Sequence, residues 1–195
     1  MGYLRTNLVR SESGVDLAGV PGTVCDAFYT MSANVHQIRS TDNTTNNGTR
    51  IPDLILTIKP KRTTNIILCE WSLFGEIQND TCFIIQKRVN FGTWTVPTNA
   101  GEEGYNSSVG SAVQWSSFYS GFYDTDDNST PNKHPLLYSV IAGSTVSRNY
   151  GIAFSSSNTT STTDRTFRLN RSYGRLGENQ YENGISTGVI YEVAQ

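Results

Sequence analysis

Apolar and polar residues alternate with a period of two along much of this chain, and no stretch carries the three-to-four-residue period of an amphipathic helix. The final stretch, residues 166–194, shows the pattern well. Residues 166–170 alternate, and residues 185–193 are rich in Val, Ile, Thr and Tyr with the same period. Between them Ser-Tyr-Gly-Arg-Leu-Gly-Glu-Asn and Glu-Asn-Gly are dense in turn residues. A strand so close to the C-terminus is expected in the middle of a sheet, because fraying would leave Val189, Ile190 and Val193 in water.

Upstream, residues 24–39 read as one strand, with Phe28, Thr30, Ser32, Asn34 and His36 on one face and Tyr29, Met31, Ala33, Val35 and Gln37 on the other. Residues 40–50 form a loop that contains the turn signal Asn47-Gly48. Residues 53–59 then point Leu54, Leu56 and Ile58 inward. The strand at 66–74 is apolar on both faces at its start, with Ile67, Cys69, Trp71 and Leu73 against Leu68, Glu70, Ser72 and Phe74. So little alternation predicts cover on both sides, one from a facing sheet and the other from a second subunit. Further strands are predicted at 81–89, 135–142 and 146–155. The total is about nine short strands at spacings suited to an antiparallel sandwich.

The run LNRSYGRLGENQYENGISTGVIYEVA resembles the C-terminal hairpin of a family of phage virion proteins common in cyanophages and marine phages. The resemblance extends back through residues 51–88 and 115–139, roughly the last three quarters of the chain. It implies an all-β fold, a two-sheet antiparallel jelly-roll sandwich of tumour-necrosis-factor-like type, over residues 23–195. The first strand would occupy about 24–39 and the family-like core would begin at about 51. Residues 1–22 would be an extended N-terminal arm. Such folds form trimers in which the exposed side of one sheet packs around the three-fold axis. By that analogy Trp71, Tyr138, Val140 and Tyr191 would line the trimer interface.

Composition narrows the function. The net charge is −2, with 15 Lys and Arg against 17 Asp and Glu in 195 residues. That is no electrostatic footprint for a nucleic acid. Residues 1–10 have no apolar signal-peptide core, and no run approaches the ~20 apolar residues of a membrane span. Assembly in a reducing host cytoplasm is therefore expected, with Cys25, Cys69 and Cys82 as free thiols. A Cys69–Cys82 disulfide would require their strands to face each other. The inventory for chemistry is poor. His36 and His134 are the only histidines, and no nucleophile elbow, P-loop or dinucleotide fingerprint occurs. No enzyme activity, metal or other cofactor is predicted.

Two functions fit. The first is a virion structural protein, a homotrimer that decorates or cements a capsid by binding the major capsid protein or another virion protein. Its arm would anchor through Tyr3, Leu4, Arg5, Leu8, Val9 and Arg10. The second is the receptor-binding knob of a tail or head fibre, with host surface polysaccharide as partner. Its ligand loops would carry Trp94, Trp115, Tyr119, Asp124 and Asp126. The Asp124–Asn128 stretch has a calcium-loop look but lacks the Gly and Glu of an EF-hand, with Ser129 and Pro135 in their places. A secreted signalling ligand of the tumour-necrosis-factor type fits less well, for want of a signal peptide.

Overall fold

Eleven strands and no helix run through the residues that the computed structural model describes, 20–39, 48–77, 81–97, 117–120, 131–156, 166–172 and 183–195. In chain order they are β1 (Val24–Ser32), β2 (His36–Arg39), β3 (Thr49–Arg50), β4 (Leu56–Ile58), β5 (Ile66–Ile77), β6 (Thr81–Val89), β7 (Ser117–Ser120), β8 (Asn132–Ile141), β9 (Arg148–Ser156), β10 (Thr166–Leu169) and β11 (Ser186–Val193). They form two sheets. One runs β1-β11-β5-β10-β2 with β8 also on β5, and the other runs β3-β9-β6-β7 with β4 also on β9. Every pairing between them is antiparallel.

The main pairs are nested like a folded hairpin. β1 pairs β11, β4 pairs β9, β5 pairs β8 and β6 pairs β7. Two further ladders, β11 with β5 and β9 with β6, tie these pairs into the two sheets. As its composition predicts, the C-terminal strand lies inside a sheet, between β1 and β5. The inner faces share one core. Ile67, Cys69, Trp71, Leu73, Leu136, Tyr138, Val140 and Ile190 come from the first sheet; Leu56, Ile58, Phe83, Ile85, Tyr150, Ile152 and Phe154 come from the second. Leu54, Leu56 and Ile58 do point inward, and Leu54 also caps Trp71, whose Nε1 donates to its carbonyl at 3.0 Å.

One predicted strand is two pieces, and one predicted hairpin is not a hairpin. The 24–39 run breaks after Ser32, so that β1 pairs β11 while β2 pairs β10. The segments at 166–170 and 185–193 do not pair with each other as a hairpin would. They lie end to end along β5, with Leu169 opposite Gly75 and Thr187 opposite Ser72. The chain leaves the sheet at Asn170 and returns at Gly184, whose N–H donates to the Asn170 carbonyl at 3.1 Å.

Asn170 makes that exit workable. Its backbone sits at φ 64°, a left-handed conformation that asparagine tolerates better than most residues. Its fully buried side chain crosses both breaks. Nδ2 donates to the Ser32 carbonyl at 2.9 Å and to the Asn34 carbonyl at 2.8 Å, and Oδ1 accepts from Ser186 Oγ at 2.6 Å. The Asn170 N–H itself donates to the Phe74 carbonyl at 2.8 Å. Gly75 next to it is required by close approach, since a Cβ there would stand 2.3 Å from the Arg168 carbonyl oxygen. At the far end of β11, buried Glu192 accepts from the Lys61 and Arg62 N–H groups and from Asn65 Nδ2 through one oxygen, which pins the turn before β5.

The cysteines are free and buried. Cys69 faces the main core from β5, whereas Cys82 packs with Ile84, Val96 and Ala153 on the other side of the second sheet. Their strands therefore do not present them to each other, and burial pushes the Cys69 thiol well above its ordinary value.

Replacing Asn170 with Ala removes its two hydrogen bonds to carbonyls and the one from Ser186 Oγ, and leaves a left-handed backbone to a residue that tolerates it less well than asparagine. Urea unfolding should show a loss of about 3 kcal/mol, and a loss within about 0.5 kcal/mol would deny the amide its role. His134 gives a pH signature. It is buried beside Phe83 and Phe167, with ring centroids at 5.3 and 6.0 Å. Burial lowers its pKa, against a hydrogen bond with the Gly75 backbone that raises it. The unfolded chain therefore takes up the proton first, so stability should fall as pH drops through about 6.5 and level off once the folded imidazole protonates. His134→Gln should remove that slope from urea midpoints measured across the range. An unchanged slope would show that His134 titrates alike in both states.

Candidate functional site

The strongest surface feature is the outer face of the first sheet, built by the strand period itself. On β5 the odd positions Ile67 to Leu73 point into the core, so Ile66, Leu68, Glu70, Ser72 and Phe74 look outward. Register then assembles rows across four strands. Tyr29 lies opposite Val189, which lies opposite Glu70, which lies opposite Leu137. Ala27, Tyr191, Leu68 and Ser139 form the next row, and Val193, Ile66 and Ile141 the one beyond. Met31, Thr187, Ser72 and Pro135 form the row on the other side.

This face is apolar to a degree that a solvated sheet side does not require. Leu137 is 56% exposed and Met31 60% exposed, with Tyr29 and Ile141 exposed as well. Val189, Tyr191, Leu68 and Ile66 are half-buried around them. Across these four rows the single charged side chain is Glu70. A depression of about 470 Å³ opens around it, lined by Glu70, Ser72, Pro135, Leu137, Thr187 and Val189. Contiguous exposed apolar rows are the ordinary mark of a protein contact surface, although a charge such as Glu70 belongs more often to the rim than to the centre.

Of the four residues expected at a trimer interface, only Tyr191 lies on this face. Trp71, Tyr138 and Val140 point the other way and are buried in the sandwich core, where Tyr138 sits 5.8 Å from the Tyr150 ring. On β5 and β8 the alternation is displaced by one residue from that expectation, which exchanges the faces. Leu68, Leu137 and Ile141 are the outward residues of β5 and β8.

The other expected site residues separate. Tyr3, Leu4, Arg5, Leu8, Val9 and Arg10 lie outside the described residues, as do Trp115, Asp124 and Asp126. Tyr119 lies on β7, opposite Cys82 of β6. Trp94 lies just after the β6 hairpin, half-buried between two arginines, with its ring centroid 4.0 Å from the Arg50 guanidinium carbon and 4.7 Å from that of Arg88.

A second polar constellation had no full counterpart in the sequence reading. Asp53 sits at φ 66° and its Oδ2 accepts from Ser32 Oγ at 3.4 Å and Asn34 Nδ2 at 2.8 Å, and contacts His36 Nε2 at 2.7 Å. The bond from Asn34, then that from His36, holds the Asp53 carboxyl below its usual range. The shared face of Ser32, Asn34 and His36 was legible from their spacing of two; the partner twenty residues away was not. The hydroxyl here is directed at the carboxylate, so the group clamps the β1–β2 break to the segment before β4. Among the described residues no three His, Cys, Asp or Glu side chains gather to hold a metal.

The sequence matches no protein-family model and no curated protein.

Inward and outward positions of β8 should respond oppositely to a charge. Tyr138→Asp buries a carboxylate in the core and should cost more than about 4 kcal/mol, while Leu137→Asp, compared at concentrations dilute enough to be monomeric, should stay within about 1 kcal/mol. Thermal melts followed by near-ultraviolet circular dichroism separate them, and similar losses at both would mean that the face assignment of β8 is wrong.

Proposed function

We propose that the protein is a non-enzymatic virion structural protein, a trimeric capsid decoration or cement subunit built on a tumour-necrosis-factor-like jelly roll and anchored through residues 1–22. The observation that carries this reading is the exposed apolar face spanning β1, β11, β5 and β8. A surface of this kind is stabilised by being covered, and three copies around an axis would cover it. Tyr29, Leu68, Leu137, Val189 and Tyr191 would form the contact, with Glu70 facing the depression at its centre.

The nested strand pairs support the jelly-roll type. First pairs last, and each later strand pairs the next one in from the other end, which is how a long folded hairpin rolls into two four-stranded layers. β2 with β10 follows the same nesting and extends the first layer along β5. The resemblance to phage virion proteins supplies the biological setting, and the sparse, near-balanced charge suits a protein that meets other proteins rather than nucleic acid.

The test is co-sedimentation with phage heads stripped of accessory proteins, using the full chain and a chain lacking residues 1–22. Stoichiometric binding that needs the arm is the expected result. No binding to heads, with binding to host envelopes instead, would sink the decoration reading in favour of a receptor knob. Sedimentation velocity of the soluble protein should give a trimer that Leu137→Asp dissociates without unfolding it.

A further inference from the structure

The outer face of the second sheet carries a different surface, well away from the apolar rows. β6 ends in a tight turn in which Asn90 and Phe91 both adopt left-handed backbones, φ 48° and 59°, closed by the Gly92 N–H donating to the Val89 carbonyl at 2.8 Å. The returning chain pairs Thr95 with Lys87 through two 2.8 Å backbone hydrogen bonds and lays Trp94 over Gly151. Glycine lets the ring lie close there, since a Cβ would meet the indole at 3.3 Å and push it back by a few tenths of an ångström. The indole lies against both Arg50 and Arg88, and Arg88 also lies 5.6 Å from the Phe91 ring.

Both guanidiniums are held from behind. Arg50 donates through Nε to Gln86 Oε1 at 3.1 Å, and Arg88 through Nε to Asn149 Oδ1 at 3.0 Å. Asn149 is itself fixed by donating to Thr57 Oγ1 at 2.5 Å. Use of Nε leaves the terminal nitrogens of each fork for something else. Among the described residues no carboxylate makes an ion pair with either arginine. The proximity of Arg88, after burial itself, lowers the pKa of Arg50, as expected of two cations at one ring with no carboxylate paired to either among the described residues.

Packing alone does not call for this arrangement. One guanidinium suffices to pin an indole, and the second adds like-charge repulsion at the same ring. A bulky residue in the left-handed region is strained, yet Phe91 gains no burial in return, being 78% exposed. Cation, aromatic, cation and exposed aromatic thus stand in one row on a protein whose net charge is negative.

We propose that Arg50, Arg88, Trp94 and Phe91 form a binding site for an acidic saccharide, the guanidinium forks at the indole each offering their terminal nitrogens to a carboxylate or sulfate group and the Phe91 ring taking the apolar face of the adjoining sugar. Two forks at one indole match the few oxyanions of a short acidic saccharide rather than the long phosphate track of a nucleic acid. An exposed ring beside them suits a sugar, which presents a C–H face next to its polar groups. The site goes beyond the assembly role and does not depend on it, because it lies on the opposite sheet.

Trp94 provides the readout. Intrinsic fluorescence of the full-length protein is titrated with tetragalacturonic acid, a sulfated heparin tetrasaccharide and neutral maltotetraose. The expected result is a saturable change with at least one acidic probe and none with maltotetraose, weakened several-fold when salt is raised to about 0.5 M. A response to only one acidic probe supports the site and assigns its oxyanion. Arg50→Gln and Arg88→Gln should each weaken binding about tenfold or more, and Arg88→Lys, which keeps charge but loses the fork, should fall between. Phe91→Gly should raise the thermal midpoint by relieving the left-handed strain while weakening affinity, a pairing that a merely structural turn would not give. Equal binding of maltotetraose, no response to either acidic probe, or undiminished binding by the arginine variants would each overturn the proposal.

Discussion

A single buried amide holds the first sheet together where its strands are broken. Four long strands would have served the same architecture, yet two of them are interrupted at the same level, after Ser32 and after Leu169. Interruption strands carbonyls inside the protein, and a buried carbonyl without a partner is costly. Asn170 answers both breaks at once, since its amide reaches two carbonyls of the edge strand and its oxygen takes the Ser186 hydroxyl. Ser186 Oγ in turn accepts from the Phe74 N–H at 2.9 Å. Three neighbouring strands are thereby registered through one side chain, and the apolar rows on the outer face line up because of it.

Much of the fold was legible in the chain, and the reason is the simplicity of the signal. A period of two identifies strands, and Leu54, Leu56 and Ile58 or Ile67, Cys69 and Leu73 sit where that period places them. The same period is unforgiving about which face is which. For β8, where Pro135, Leu136 and Leu137 follow one another, the sequence does not say which of two apolar neighbours is inside. Leu136, Tyr138 and Val140 took the core, so Tyr138 and Val140 were mistaken for surface. Trp71 was misread for a different reason. Its large ring suits an interface, but its indole nitrogen finds the Leu54 carbonyl and is satisfied within the core.

Other features were hidden because they depend on contacts distant in sequence. Nothing near Asn170 announces a partner 138 residues away in Ser32, and nothing near Asp53 announces His36. The Arg50–Trp94–Arg88 group draws on three separate segments, and the Asn-Phe-Gly turn that supports it lacks the small residue usual at its centre. The two sheets consequently differ in character on their outer faces. One is broad and apolar; the other is narrow and holds two arginines at an indole.

The exit and return of the chain between β10 and β11 leave the sheet continuous along β5. Arg171 bridges Asn183 and the Gly184 N–H meets the Asn170 carbonyl, so the detour begins and ends at neighbouring points while the strand simply resumes along β5. Doubling the length of such a detour adds only about 0.6 kcal/mol of closure entropy. Because its two ends already stand together, the register of β10 and β11 on β5 is set by the sheet and not by the number of residues that join them.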